Sequence, residues 1–402
     1  MKRKACEEIK NRPIKVLQFG SGCLARGVWC RLLQEMDDVN SVIVCDSPQN
    51  KSRSNDFYLG LVSVSGETEQ YINHVNSIIN PYIEPDAISA FADNKEITTV
   101  LWAAENEEWI LPNGKMKNDK THCLAQITMF LFGRFCLEMH GVTVIPSTPF
   151  DFNGDRLKKQ IIEYSSLRGI GMDFINWLNF EVVFINTSVE CISQGVGEQN
   201  GKEKYICEKY LKIVTDKNDG FISQSGYVSV EEDISVYYKL KRFVFEGALV
   251  SSCAYALLHD VETVSGFMMR EKLAKHMTVS VFEEILPSLH LDFERAQVYA
   301  MEMLSRFENS YLALKWSDIA QKLIERFANV TVPVIIEYIR VHERVPKHLT
   351  FALFCTIQYY RVSDEENGIK EAQLLEILKN DKLWGCDLSF LCEEIKKYED
   401  KM

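Results

Sequence analysis

The chain has 402 residues, 46% hydrophobic and 25% charged, with a formal net charge of −12 at pH 7. That length exceeds one typical domain, so two are expected. The acidic balance argues against a nucleic-acid partner, because neutralising phosphates takes clustered Lys and Arg.

The basic start, MKRKACEEIK, is not followed by an apolar run, so no secretory leader is expected. No stretch approaches the ~20 apolar residues of a membrane span, which argues against a membrane partner. The 12 cysteines are scattered, with no C-x-x-C pair and no histidines at zinc spacing, so no metal site is expected. Cysteines used this way read as reduced core residues of a cytoplasmic protein.

The first strong pattern is Ile14 to Asp46. Ile14, Val16, Leu17 and Phe19 form an apolar run of strand length. Gly20, Gly22 and Ala25 follow at G-x-G-x-x-A spacing. Gly20 permits a tight turn, Gly22 lets a pyrophosphate approach the backbone, and Ala25 lets the helix pack closely. A helix from about Leu24 to Glu35 aims its N-terminal N–H groups at that phosphate. Cys23 sits inside the turn as a small residue that fits there. Val42 to Val44 reads as a second strand, ended by Asp46. A carboxylate at that point accepts from the adenosine ribose and repels a 2′-phosphate, which favours NAD over NADP. Lys51 and Arg53, a few residues on, are the groups that would hold a 2′-phosphate if that reading of Asp46 were wrong. The expected cofactor set is Phe19, Gly20, Gly22, Cys23, Leu24, Ala25 and Asp46. The plain alternative for the glycines alone is a turn before a helix.

A β-rich stretch is expected at Leu59–Val64 and a short helix at Ala87–Phe91. A third strand is expected at Ile97–Trp102, then a helix at His122–Met139 ended by Gly141. Val142–Ile145 reads as a fourth strand stopped by Pro146. Asn153-Gly154 opens a helix Asp155–Tyr164, and Val182–Ile185 is a fifth strand. Strands alternating with helices predict a parallel sheet with crossover helices.

From about Val236 helical periodicity takes over. Leu240, Val244, Gly247, Ser251, Ala254 and Leu258 fall on one helix face, and Phe293, Ala296, Ala300, Met303 and Phe307 on another. Pro333 is expected to interrupt a helix that follows Ile319–Phe327. Helices are also expected at Leu349–Tyr360, Ala372–Leu378 and Leu388–Ile395. The expected architecture is a Rossmann-like α/β domain over 1–235 and an all-α domain over 236–402.

Several blocks, in order, resemble the polyol-specific long-chain dehydrogenase (mannitol dehydrogenase) family, and within it the tagaturonate reductase (altronate oxidoreductase) branch. They are VLQFGSGCLARG, INPYIEPDAISAFADNKEIT, ITMFLFGRF, VIPSTPFDFNGDRLK, FINTSVECI, EEILPSL and RFENSY. The resemblance implies a Rossmann-type domain, a helical domain and an active site between them. It also implies zinc-independent hydride transfer between nicotinamide and a secondary alcohol or ketone of a sugar acid or polyol. That family carries its chemistry on a K-x-x-x-x-N-x-x-H helix, with lysine as general base and the other two holding the substrate oxygen. Here the stretch is KRFVFEGAL, so Lys241 keeps the lysine while Glu246 and Leu249 replace the asparagine and histidine. The family's V-D-R-I has become Val189-Glu190-Cys191-Ile192, and its S-N-T-T-E-A-G block roughly 102–107. By family position Asn153 and Asn186 are expected at the pocket edge. Ser252, Tyr255 and His259 follow Lys241 on the same helical run and could work beside it in a rebuilt pocket.

Two functions fit these residues. One is an NAD-dependent sugar-acid or polyol oxidoreductase with Lys241 as its base. The other is a catalytically degraded nucleotide-binding relative with an interaction or regulatory role. The sequence names neither the substrate nor the oligomeric state.

Overall fold

The computed structural model describes residues 13–36, 39–45, 55–104, 121–363, 369 and 372–400. The chain divides into two units, Met1–Ile234 and Ser235–Met402. The first is a Rossmann-like α/β unit and the second is helical.

The first unit is built on six strands in the order Val75–Ile79, Asn40–Val44, Ile14–Phe19, Thr99–Trp102, Thr143–Pro146, Val183–Phe184. Every neighbouring pair is parallel. In chain order this is 3-2-1-4-5-6, the doubly wound arrangement. Its direction reverses at Ile14–Phe19, where ligands of such sheets bind beyond the strands' carboxyl ends. Val16, Leu17 and Phe19 are wholly buried, which suits a strand covered on both faces.

The sequence pattern passes over Val75–Ile79, because Asn76 and Ser77 interrupt its apolar run. The stretch expected as the third strand is therefore the fourth, shortened to Thr99–Trp102. The helix expected at Ala87–Phe91 is a single 3-10 turn, Ser89–Phe91. Phe57–Ser63 belongs to a separate four-stranded sheet with Gly66–Ile72, Lys202–Glu208 and Ser193–Gln199. Its register sets Cys207 beside Leu61 on one side and Ser193 on the other. A three-stranded sheet joins Thr187–Glu190, Lys212–Thr215 and Val228–Val230.

The helical unit packs around one apolar core that includes Phe267, Trp316, Phe327, Leu353 and Trp384. Pro333 does not interrupt its helix: Leu323–His342 runs through it. Thr331, Val332 and Val334 beside the proline are buried, so tertiary packing offsets the lost hydrogen bond and the ring clash. Of the expected apolar faces, Leu258 and Phe293 at the element ends are exposed and the remaining members are buried. Among the described residues no helix is long and apolar enough to cross a membrane.

A buried polar knot holds the start of the helix Lys347–Ser363. Both oxygens of Glu284 accept backbone N–H groups, from His348 at 2.9 Å and Leu349 at 2.8 Å. Burial raises this carboxyl above its ordinary value, against the pull of those bonds. His276 lies alongside, with its Nδ1 3.2 Å from His348 Nδ1. Burial, with His348 beside it, lowers the His276 imidazole from 6.5 to about 3. A depressed histidine contributes stability that is present above 6.5 and is lost as pH falls towards 3, because the unfolded chain takes up the proton first. We expect His276→Phe to flatten part of the fall in thermal midpoint between pH 7 and pH 4. Identical slopes for the two proteins would show that this imidazole does not set acid stability.

Candidate active site

The glycine turn lies at the sheet's reversal point. Gly20 has φ +103°, a region that side chains rarely adopt. A Cβ there would come within 2.4 Å of the Ala103 carbonyl oxygen. The turn is thus held against the chain leaving Thr99–Trp102, and Gly20 N–H donates to Val44 at 2.9 Å on the other side. The helix starts immediately, with Arg26 N–H donating to the Gly22 carbonyl at 3.1 Å. Phe19 and Ala25 are fully buried, whereas Gly22, Cys23 and Leu24 are half-buried at the turn. A close-packed glycine turn opening a helix N-terminus fits a dinucleotide pyrophosphate. Asp46, Lys51, Arg53 and residues 105–107 lie outside the described residues.

Arg26 adds to this turn and was not singled out by spacing. Its guanidinium is fully buried, 4.8 Å from the Phe57 ring centroid and 5.4 Å from that of Tyr205. Nε donates to the Ser21 carbonyl at 3.4 Å, and Glu203 lies 3.9 Å from Nη2. It therefore ties the glycine turn to the Phe57 and Tyr205 strands. The available signal was a lone arginine inside an otherwise apolar helix start.

The two asparagines expected at the pocket edge are buried and engaged within the first unit. Asn153 donates to the Thr148 carbonyl at 3.0 Å and to the Thr187 carbonyl at 3.1 Å, and accepts from Thr187 N–H at 2.9 Å. Asn186 Oδ1 accepts from Gly154 N–H at 2.9 Å and Asp155 N–H at 3.1 Å, capping the helix Asn153–Leu167. Its Nδ2 donates to Asp155 at 2.9 Å and Asp216 at 2.8 Å. All four side-chain hydrogen-bonding positions of Asn186 are filled internally.

Lys241 opens a wide turn. Residues Leu240–Glu246 form a π-helical segment that passes into the helix Gly247–Leu257. Turns bonded i→i+5 are rare and cluster at functional sites. They stack residues five apart, so Lys241 and Glu246 share a face there, which a regular helix would not allow. Lys241 is half-buried. Glu246 pairs with Arg326, whose Nε donates at 3.0 Å and whose Nη1 donates to the Ile319 carbonyl at 2.7 Å. The carboxylate that replaces the family's asparagine therefore brings its own counter-ion. Leu249 is 5% exposed and belongs to the apolar core of the helical unit. Ser252 is fully buried, and His259 is exposed at the helix end with its Nδ1 3.0 Å from the Tyr255 carbonyl oxygen. Among the described residues, no three His, Cys, Asp or Glu side chains are grouped to hold a metal ion.

The mannitol dehydrogenase Rossmann domain matches residues 14–224, and the mannitol dehydrogenase C-terminal domain matches 233–386. This chain belongs to the mannitol dehydrogenase family. Its relatives include altronate oxidoreductase of Escherichia coli O6:K15:H31, 25% identical over 89% of this chain and 81% of that protein. Altronate oxidoreductase of Pectobacterium atrosepticum is also 25% identical, over 93% and 84%. Mannitol 2-dehydrogenase of Pseudomonas fluorescens, solved as a ternary complex with NAD and D-mannitol, shares the fold at TM-score 0.75 and 15% identity over 98% of this chain and 92% of that one. Substrate-free D-sorbitol dehydrogenase superposes at TM-score 0.76 and 16% identity, over 97% and 92%. Family membership makes the chain an enzyme of the dehydrogenase–reductase type.

The Asn186 network gives a direct test. Asn186→Ala leaves two helix N–H groups and two carboxylates without their partner. We expect it to cost about 2–3 kcal/mol of stability, with KM almost unchanged in the protein that remains folded. A large rise in KM without loss of stability would instead return Asn186 to the substrate pocket.

Proposed function

We propose that this protein interconverts a secondary alcohol and a ketone on a sugar acid of the altronate–tagaturonate kind, with NAD as cofactor and Lys241 as the group that moves the proton. The coarser statement, an NAD-dependent polyol or sugar-acid oxidoreductase, follows from the family and its relatives. The observation that carries the reading is the glycine turn, closed by Gly20 against Ala103 at the sheet's reversal point. A scaffold that no longer bound a dinucleotide would be under no constraint to keep that approach. The sugar-acid preference rests on the altronate oxidoreductase relatives, each matched over most of its length.

Gly20, Gly22 and the helix start would hold the pyrophosphate, with Arg26 behind them, and Asp46 would hold the ribose. The bound nicotinamide supplies or accepts the hydride. Lys241 accepts the hydroxyl proton when the alcohol is oxidised and returns it to the oxygen when the ketone is reduced. The lysine must give up its proton readily to do so, and an unopposed carboxylate nearby would hold that proton on. Arg326 offsets the Glu246 charge, so this substitution is compatible with a working lysine. Neither ionised Glu246 nor Leu249 donates a hydrogen bond. The substrate oxygen therefore relies on Lys241 within this turn, and the remaining binding energy falls to the sugar acid's other groups.

Two variants test the two halves of the reading. Gly22→Asp fills the pyrophosphate's space and adds like charge. NADH affinity should collapse in a protein with unchanged circular dichroism, and unchanged affinity by calorimetry would remove the turn as the cofactor site. Lys241→Met keeps the chain length but cannot accept a proton. It should lower turnover of altronate, or of the hexuronate that proves to be the substrate, by about 10²–10⁴-fold with NADH affinity retained. Wild-type turnover insensitive to Lys241→Met would place the base elsewhere. NADH binding with no turnover on any hexuronate or polyol would favour a degraded, nucleotide-binding relative.

A further inference from the structure

Two thiols meet behind the glycine-turn helix. Cys191, between the strands Thr187–Glu190 and Ser193–Gln199, lies with its Sγ 3.2 Å from Sγ of Cys207 on Lys202–Glu208. The cysteines are free, with Cys207 buried and Cys191 half-buried. Cys191 stands where the family's V-D-R-I block carries its arginine, so this half of the pair belongs to this chain rather than to the family pattern.

The surroundings make the two sulfurs unequal. Arg31 is buried, and its Nη1 lies 3.9 Å from Cys207 Sγ while donating to the Glu208 carbonyl at 3.2 Å. A hydrogen bond joins the two thiols. That hydrogen bond, with the Arg31 charge behind it, holds Cys207 below the ordinary thiol value and pushes Cys191 above it. One sulfur ready to attack and a second in contact to resolve the product is the arrangement of a redox-active pair.

We propose that Cys191 and Cys207 are a peroxide-sensitive dithiol that closes reversibly to a disulfide against the glycine-turn helix. The chemistry balances with hydrogen peroxide as oxidant. Two S–H bonds and one O–O bond break, one S–S bond forms, and two waters leave, so sulfur loses the two electrons that peroxide gains. The sulfurs need to approach by only about 1 Å to reach bonding distance. Cys191 is the less buried of the two, so peroxide meets it first and Cys207, in contact with it, resolves the product. Cys207 Sγ also lies 3.3 Å from the Gly27 carbonyl oxygen, one turn into the helix that follows the glycines. A Cβ on Gly27 would stand 3.3 Å from that of Cys207, so strand and helix are in close contact and closure of the pair is felt there.

The test uses the full-length protein in a Cys136→Ser background, because Cys136 is exposed and would oxidise independently. After brief treatment with equimolar hydrogen peroxide, non-reducing peptide mapping should show the peptides of Cys191 and Cys207 joined, with a loss of about 2 Da. Dithiothreitol should restore both thiols to alkylation. The cross-link should vanish in Cys191→Ser and in Cys207→Ser, with folding of each checked by circular dichroism. Because Cys191 is half-buried, its variant serves even if the serine at buried Cys207 fails to fold. The readout is mass, so it stands whatever the protein proves to bind. Cys191 remaining fully alkylatable after peroxide, Cys191 carrying added oxygen with no partner, or Cys207 joined equally to another cysteine would each overturn the proposal.

Discussion

The first unit depends on one close approach. At Gly20 the chain leaves Ile14–Phe19 with φ +103° and passes Ala103 at a distance that no side chain allows. The approach exists because Ile14–Phe19 has Asn40–Val44 on one side and Thr99–Trp102 on the other, all parallel. The turns at the ends of those strands converge on one point. Gly20 N–H ties the turn to Val44, and Ala103 N–H ties the far side to Phe19 at 2.7 Å. With both flanks fixed, the helix after Gly22 starts at the carboxyl ends of the strands, with its N-terminus at the sheet's reversal point. Arg26 is buried beside two aromatic faces, with Nε on a backbone carbonyl and a carboxylate 3.9 Å from Nη2.

This reversal point was legible from the residues because everything that defines it is local: an apolar run, glycines at fixed spacing, a helix, a second run. What stayed hidden depended on distant partners. Val75–Ile79 carries Asn76 and Ser77 in mid-strand and becomes a strand only by pairing with Asn40–Val44. Lys202–Glu208 pairs with Phe57–Ser63 across more than half the unit's length of chain, which no short-range pattern reveals. Pro333 reads as a breaker in isolation, and packing on both sides carries the helix past it. Asn153 and Asn186 were located by family position, and their environment spends them on the chain itself. They fasten the start of the helix Asn153–Leu167 to the segment following Val183–Phe184, at the same edge of the sheet where the glycine turn lies.

The helix carrying Lys241 poses the opposite problem. Its identity was legible from a motif, yet two of the three motif positions had changed, and sequence alone could not say how such a change is accommodated. The structure resolves the two replacements differently. Glu246 adds a charge, and Arg326 from the helix Leu323–His342 meets it with a hydrogen-bonded ion pair, half exposed and so modest in energy. Leu249 replaces a polar group by an apolar one, and it is buried in the apolar core of the helical unit. The first change needed a partner and has one, while the second needed only apolar neighbours.

That asymmetry bears on what kind of pocket this helix can line. A decayed site accumulates replacements independently, and an added buried carboxylate without a counter-ion would be among the costlier ones. Here the carboxylate is paired with Arg326, and Lys241 lies with Glu246 in one π-helical turn. An i→i+5 turn is less stable than a regular one and persists where something rewards it. What the widening does here is set positions five apart on one side of the helix, so that a cation at Lys241 and a carboxylate at Glu246 fall on the same face.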